Sequence, residues 1–138
     1  MTLVQEMLSG RCACKAVAYE VPDEFVAAYN CHCTNCRAMT GSAFLPWGEI
    51  ERAKLRVTQG ADSVSVIGDA GGIHEARCRA CSSLLYWTVR DGAFVRIPYG
   101  TLVDEPSLKP TAHMFVGSKA PWYEIVDDLP QHDAAPWA

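Results

Sequence analysis

Apolar and polar positions alternate along this chain only in short runs, and nearly every run ends at a Gly, Pro or Asp. Residues 15–21 place Val17, Tyr19 and Val21 on one side and Ala16, Ala18 and Glu20 on the other, the period of a half-buried strand. Residues 25–29 read as its hairpin partner, because Pro22 and Asp23 between them supply turn chemistry. Further short strands are predicted over 43–47, 54–58 and 63–67, and the Gly-rich residues 68–72 form a loop. Residues 73–77 and 84–89 make the two arms of a hairpin, and 94–98 and 111–116 are strand candidates. Residues 33–39 have no strand period and predict one helical turn ended near Gly41, and a second turn is expected at 121–123. Many short strands at this spacing define an all-β domain.

At 138 residues with 49% hydrophobic side chains, the chain is sized for one core. We read residues 1–126 as a single zinc-binding domain and 127–138, polar and without period, as a loosely packed tail. No apolar run approaches the ~18 residues of a membrane span, and the start lacks the basic end and apolar stretch of a secretory signal, so a cytoplasmic location and no membrane partner are expected. A net charge of -4 and a pI near 5.5 argue against a nucleic-acid partner, which demands a basic face. Arg37, Arg77, Arg79, Arg96 and Lys119 are still available for a local anion pocket. Oligomeric state is not encoded in any of these features.

The seven cysteines change the picture most. They fall in three groups, Cys12 with Cys14, then Cys31, Cys33 and Cys36, then Cys78 with Cys81. An odd number cannot all pair as disulfides within one chain. Cys12 and Cys14, placed at the start of a strand, would lie ~6.6 Å apart at their α-carbons, and suit a shared metal better than a disulfide. Cys78 to Cys81 has the CxxC spacing of a zinc knuckle. Together the two pairs complete a four-thiolate structural zinc site that staples two remote parts of the chain. Cys31, Cys33 and Cys36 are then left as three ligands, and three ligands around zinc leave a fourth position open, the pattern of a catalytic site. A thiolate-rich site favours an incoming sulfur, whose pKa the metal lowers. Two zinc ions per chain are expected. His32 is an alternative fourth ligand, although alternation turns it away from its cysteine neighbours, and a metal-free redox centre is a second alternative.

The run Gly10-Arg11-Cys12-Ala13-Cys14 with Val17 and Tyr19, then CHCTNCRAMTGSAF at 31–44, then CRAC at 78–81, resembles the glutathione-dependent formaldehyde-activating enzyme family. His113-Met114-Phe115, Lys119 and Pro121-Trp122 continue the likeness. The resemblance implies a β-tent fold of small antiparallel sheets stitched by zinc, and a carbon-sulfur lyase chemistry like that of S-(hydroxymethyl)glutathione synthase, which joins glutathione and formaldehyde. It implies Cys31, Cys33, Cys36 and His113 as catalytic residues, with His113 the candidate for the alkoxide proton. Arg37 and Lys119, with Arg96 as a further basic residue, are the candidates for holding glutathione. Where the family commonly has Gly after the second cysteine of each pair, this chain has Lys15 and Ser82. The family also includes the centromere protein V domain, so a non-catalytic, zinc-stabilised binding module is the alternative function.

Overall fold

The computed structural model describes residues 7–137; the sequence reading of residues 1–6 and of Ala138 falls outside them. The described residues form ten strands and one α-helix, which makes the protein all-β. In chain order the strands are β1 (Met7–Arg11), β2 (Ala18–Pro22), β3 (Ala27–Cys31), β4 (Leu45–Glu51), β5 (Arg56–Gln59), β6 (Val64–Gly68), β7 (His74–Cys78), β8 (Leu84–Val89), β9 (Phe94–Pro98) and β10 (His113–Met114), with α1 (Thr34–Thr40) between β3 and β4. They pair into a three-stranded sheet of order β1-β2-β5 and a seven-stranded sheet of order β10-β3-β4-β9-β8-β7-β6. Neighbours are antiparallel except β10, which runs parallel to β3.

One predicted pairing is replaced. Residues 15–21 and 25–29 do not close a hairpin: β2 lies between β1 and β5, whereas β3 crosses to the larger sheet and pairs with β4 from Ala27↔Glu49 to Cys31↔Leu45. The Pro22-Asp23 turn redirects the chain. The backbone N–H of Glu24 donates to Pro22 O at 2.8 Å, and the Asp23 carboxylate accepts from the backbone N–H of Ser107 at 3.0 Å and from its hydroxyl. The partner that displaces β3 is β1, whose sequence MLSGR alternates too briefly to announce a strand. Gly10 stands opposite Tyr19 in that pair, and a β-carbon at Gly10 would fall 2.1 Å from the Tyr19 ring, so only glycine admits the ring there.

The two sheets meet over Leu8, Tyr19 and Val21 on one side and Phe25, Ile50, Val95 and Ile97 on the other, all buried. Each such side chain removed from water contributes about 1.5–3 kcal/mol. Two satellite clusters each enclose one cysteine group: Cys31 and Cys36 pack with Leu45, Trp47, Leu84 and Met114, and Cys12 and Cys78 with Val17, Ala76 and Leu85.

The tail differs from the loose packing expected of it. Residues 130–134 run beside β10: His113 N–H donates to Pro130 O at 2.8 Å, His132 N–H to His113 O at 2.9 Å, and Val116 N–H to His132 O at 2.9 Å. β10 has only β3 on its other side, so the tail satisfies backbone groups that would otherwise form a bare edge. No helix among the described residues is long and apolar enough to cross a membrane.

Candidate metal centre and its cavity

The four-cysteine group is assembled from two tight turns. Cys12 and Cys14 lie in the turn joining β1 to β2 rather than at the start of a strand, whereas Cys78 ends β7 and Cys81 lies in the turn that leads to β8. In both, the residue after the second cysteine has a left-handed backbone, with φ 69° at Lys15 and 66° at Ser82. Each donates its N–H back to the first cysteine's carbonyl, at 3.2 Å for Lys15 and 2.8 Å for Ser82. The sulfurs of Cys12 and Cys14 are 3.7 Å apart, as are those of Cys14 and Cys78. Tetrahedral zinc with bonds of ~2.3 Å separates its sulfurs by ~3.8 Å, so the donor set fits that ion. Val17 N–H donates to Cys12 Sγ at 3.2 Å. Cys81 faces the Ser83 hydroxyl at 3.1 Å, a bond that brings its thiol down to about 5 despite slight desolvation.

The three-cysteine group forms where β3 runs into α1. Cys31 ends the strand, Cys33 caps the helix with its sulfur accepting from Cys36 N–H at 3.2 Å, and Cys36 lies in the first turn. Gly41 ends the helix at φ 66°, as the sequence predicts. The ligand atoms of the trio lie within 4.8 Å of one another. Cys36 bonding to Cys31 brings Cys31 down to about 6, with burial opposing and Cys33 and Arg96 assisting; the same bond raises Cys36. No His, Asp or Glu completes the group among the described residues, so three thiols define an open side.

That side faces a cavity of about 450 Å³ lined by the trio with Asn35, Ala38, Met39, Trp47, Trp87, Arg96, Met114 and Phe115. Arg96 is its basic side chain. β9 aligns Arg96 with Glu49 on β4 and with Trp87 on β8, and the guanidinium carbon lies 4.1 Å from the centre of the Trp47 ring.

Four residues considered for the site do not line this cavity. His32 points to the other side of the chain from Cys31 and Cys33, fully buried, and its Nε2 meets His113 Nδ1 at 2.8 Å. His113, 1% exposed, engages its second nitrogen with the Asp127 carboxylate at 2.9 Å. Arg37 donates to Ser118 O at 3.0 Å, and Lys119 donates to Ala120 O at 3.1 Å and to Tyr123 O. His32, His113, Arg37 and Lys119 thus fasten the segment behind the trio. Burial first, then the positive fields of His113, Lys119 and Arg37, push His32 down to about 4, opposed only by Asp127. Sequence reasoning named Arg96 only as an available basic residue and missed the aromatic and thioether wall of the cavity.

The protein is thus an all-β domain with a four-cysteine and a three-cysteine cluster, each of which could hold a metal ion. The family model of glutathione-dependent formaldehyde-activating enzymes matches residues 7–118, and the chain belongs to this family. A Rhodobacter sphaeroides protein of known crystal structure superposes with a TM-score of 0.57 at 22% identity, over 74% of this chain and 97% of that one, and shows the same fold.

Proposed function

We propose that the protein is a zinc-dependent enzyme of carbon-sulfur lyase type that joins a small thiol to an aldehyde, as in S-(hydroxymethyl)glutathione synthesis, and catalyses the reverse. The observation that carries this is the open side of Cys31, Cys33 and Cys36 at the wall of a solvent-accessible cavity. The family's description names glutathione and formaldehyde, and we take a small thiol as the partner.

Zinc held by the trio would supply a Lewis-acidic seat that favours the thiolate form of an incoming thiol. The chain's own residues do the rest. The three cysteines fix the seat at the junction of β3 and α1, and Trp47, Trp87 and Phe115 give the reacting carbon an apolar wall. In the reaction the sulfur lone pair forms the new C–S bond, the carbonyl π pair moves to oxygen, and the proton lost by sulfur ends on that oxygen. We assign His113 to holding His32 in place behind the trio rather than to delivering this proton, because both its ring nitrogens are engaged.

Carbon-13 NMR of labelled formaldehyde mixed with glutathione and the zinc-loaded protein tests the reading through magnetisation exchange between free aldehyde and hemithioacetal. Exchange faster than the uncatalysed rate, abolished in Cys33→Ala, is expected. Unchanged exchange with two zinc ions bound would instead favour the non-catalytic binding module.

A further inference from the structure

Arg96 belongs to two cavities at once. The first is the one that opens on the cysteine trio. The second, about 420 Å³, is lined by Ala27, Tyr29, Glu49, Val89, Arg90 and Trp137, and shares Trp47 and Arg96 with the first.

The charges at this shared wall do not balance. Glu49 is 2% exposed and meets Arg96 Nε at 2.9 Å through one oxygen and Arg90 at 2.8 Å through the other. Two guanidinium groups around one carboxylate leave one positive charge over. Arg90 is largely in solvent, whereas the Arg96 side chain is 20% exposed. Its guanidinium carbon lies 4.1 Å from the Trp47 ring centre and 5.6 Å from that of Trp137. Only Nε of Arg96 donates to a described acceptor. The two Nη groups therefore present an unused fork on a stacked, rotationally fixed guanidinium, the geometry that takes a carboxylate through two parallel bonds.

The rest of the cavity wall around the trio is Ala38, Met39, Trp87, Met114 and Phe115, with Asn35 the neutral polar side chain and no acid. Such a wall has no carboxylate to pair with an ammonium group and favours an apolar body.

We infer that Arg96 is the carboxylate receptor of this site, and that the thiol it takes is a mercaptocarboxylate with an apolar body, its sulfur toward Cys31, Cys33 and Cys36 and its carboxylate on the Arg96 fork. The inference rests on the thiol reading proposed above and narrows it to a substrate class.

The test uses the full-length protein with cobalt in place of zinc, whose thiolate charge-transfer band reports an added sulfur ligand. The probes are 3-mercaptopropanoate and 4-(mercaptomethyl)benzoate, each beside its methyl ester, with glutathione in parallel. Each acid is expected to move the band at concentrations at least tenfold below its ester and below glutathione. Because Arg96→Met alone leaves Glu49 with a single partner, the variant is made together with Glu49→Gln, and in it the acid and ester titrations should coincide. Equal titration of acid and ester in the unaltered protein, a preference that survives the double variant, or tighter binding of glutathione than of either acid overturns the inference alone. A band that no thiol moves overturns the thiol reading itself, and this inference with it.

Discussion

His32 and His113, 81 positions apart in sequence, face each other with Nε2 and Nδ1 at 2.8 Å. The Asp127 carboxylate can only accept from His113 Nε2–H, so while His113 is neutral its Nδ1 is the acceptor and His32 Nε2–H the donor. Both rings are almost wholly buried, and His32 is flanked by Cys31 and Cys33, so this chain of bonds holds the backbone that presents the trio.

His113→Leu strands the His32 donor in the interior, and an unsatisfied buried donor costs about 1–3 kcal/mol. Chemical denaturation should show a loss in that range. Asp127→Asn keeps an acceptor for His113 and should cost under about 1 kcal/mol. Equal losses for the two variants would show that the Asp127–His113–His32 chain is not what holds the segment.

Acid should weaken the fold through His32. Its folded value of about 4 lies below the ordinary 6.5, so between these the unfolded chain binds more protons than the folded one. The contribution is complete above pH 6.5 and is lost as the pH falls toward 4. At about 1.4 kcal/mol per pKa unit, the difference in unfolding free energy between the wild type and His32→Gln should shrink by roughly 3 kcal/mol over that window. Protonation of the cysteines is common to both proteins and cancels in the difference. A flat difference contradicts the assignment.

Lys15 and Ser82 hold left-handed backbone at φ 69° and 66°, a conformation that costs a residue with a β-carbon about 1 kcal/mol relative to glycine. Lys15→Gly and Ser82→Gly should each raise stability by up to about 1 kcal/mol, additively, since the hydrogen bonds of both residues in the two turns use backbone atoms. Thermal unfolding of the single and double variants checks this, and destabilisation by either change would contradict it.

The two cysteine groups should separate by function. Cys78→Ser breaks a cluster that ties chain segments 64 residues apart, and should remove one metal ion and several kcal/mol of stability. Cys33→Ala should remove the other ion with a much smaller change in melting temperature. Metal analysis and calorimetry on the pair distinguish the two, and a Cys78→Ser protein that keeps both its metal and its melting temperature would require the cysteines to be regrouped.

How much of this was legible in the sequence follows from distance along the chain. The CxC, CHCxxC and CxxC spacings are local, and they partition the seven thiols as the structure does. The helix from Cys33 to Gly41 is equally local, because one residue caps it and another ends it. What failed was pairing between remote segments. β1 alternates too briefly to be read, so β2 was assigned the wrong neighbour, and the tail lost its place because β10 needed partners that no pattern in residues 127–137 advertises. The sequence offered Arg96 only as one basic residue among several, and the His32–His113 contact escaped, for the same reason: each matters through residues on other strands. The Gly positions filled by Lys15 and Ser82 are the converse case, where a departure seen in sequence acquired its meaning only from the backbone angles.

The central claim is that Cys31, Cys33 and Cys36 hold a metal ion with a place for an incoming sulfur. Selenium-edge X-ray absorption of the zinc-loaded protein with a stoichiometric small selenol puts the question to the incoming atom itself. The account predicts a zinc neighbour at bonding distance from selenium in the wild type and none in Cys33→Ala. Selenium surrounded only by light atoms, in a wild-type protein that holds two zinc ions per chain, would contradict it.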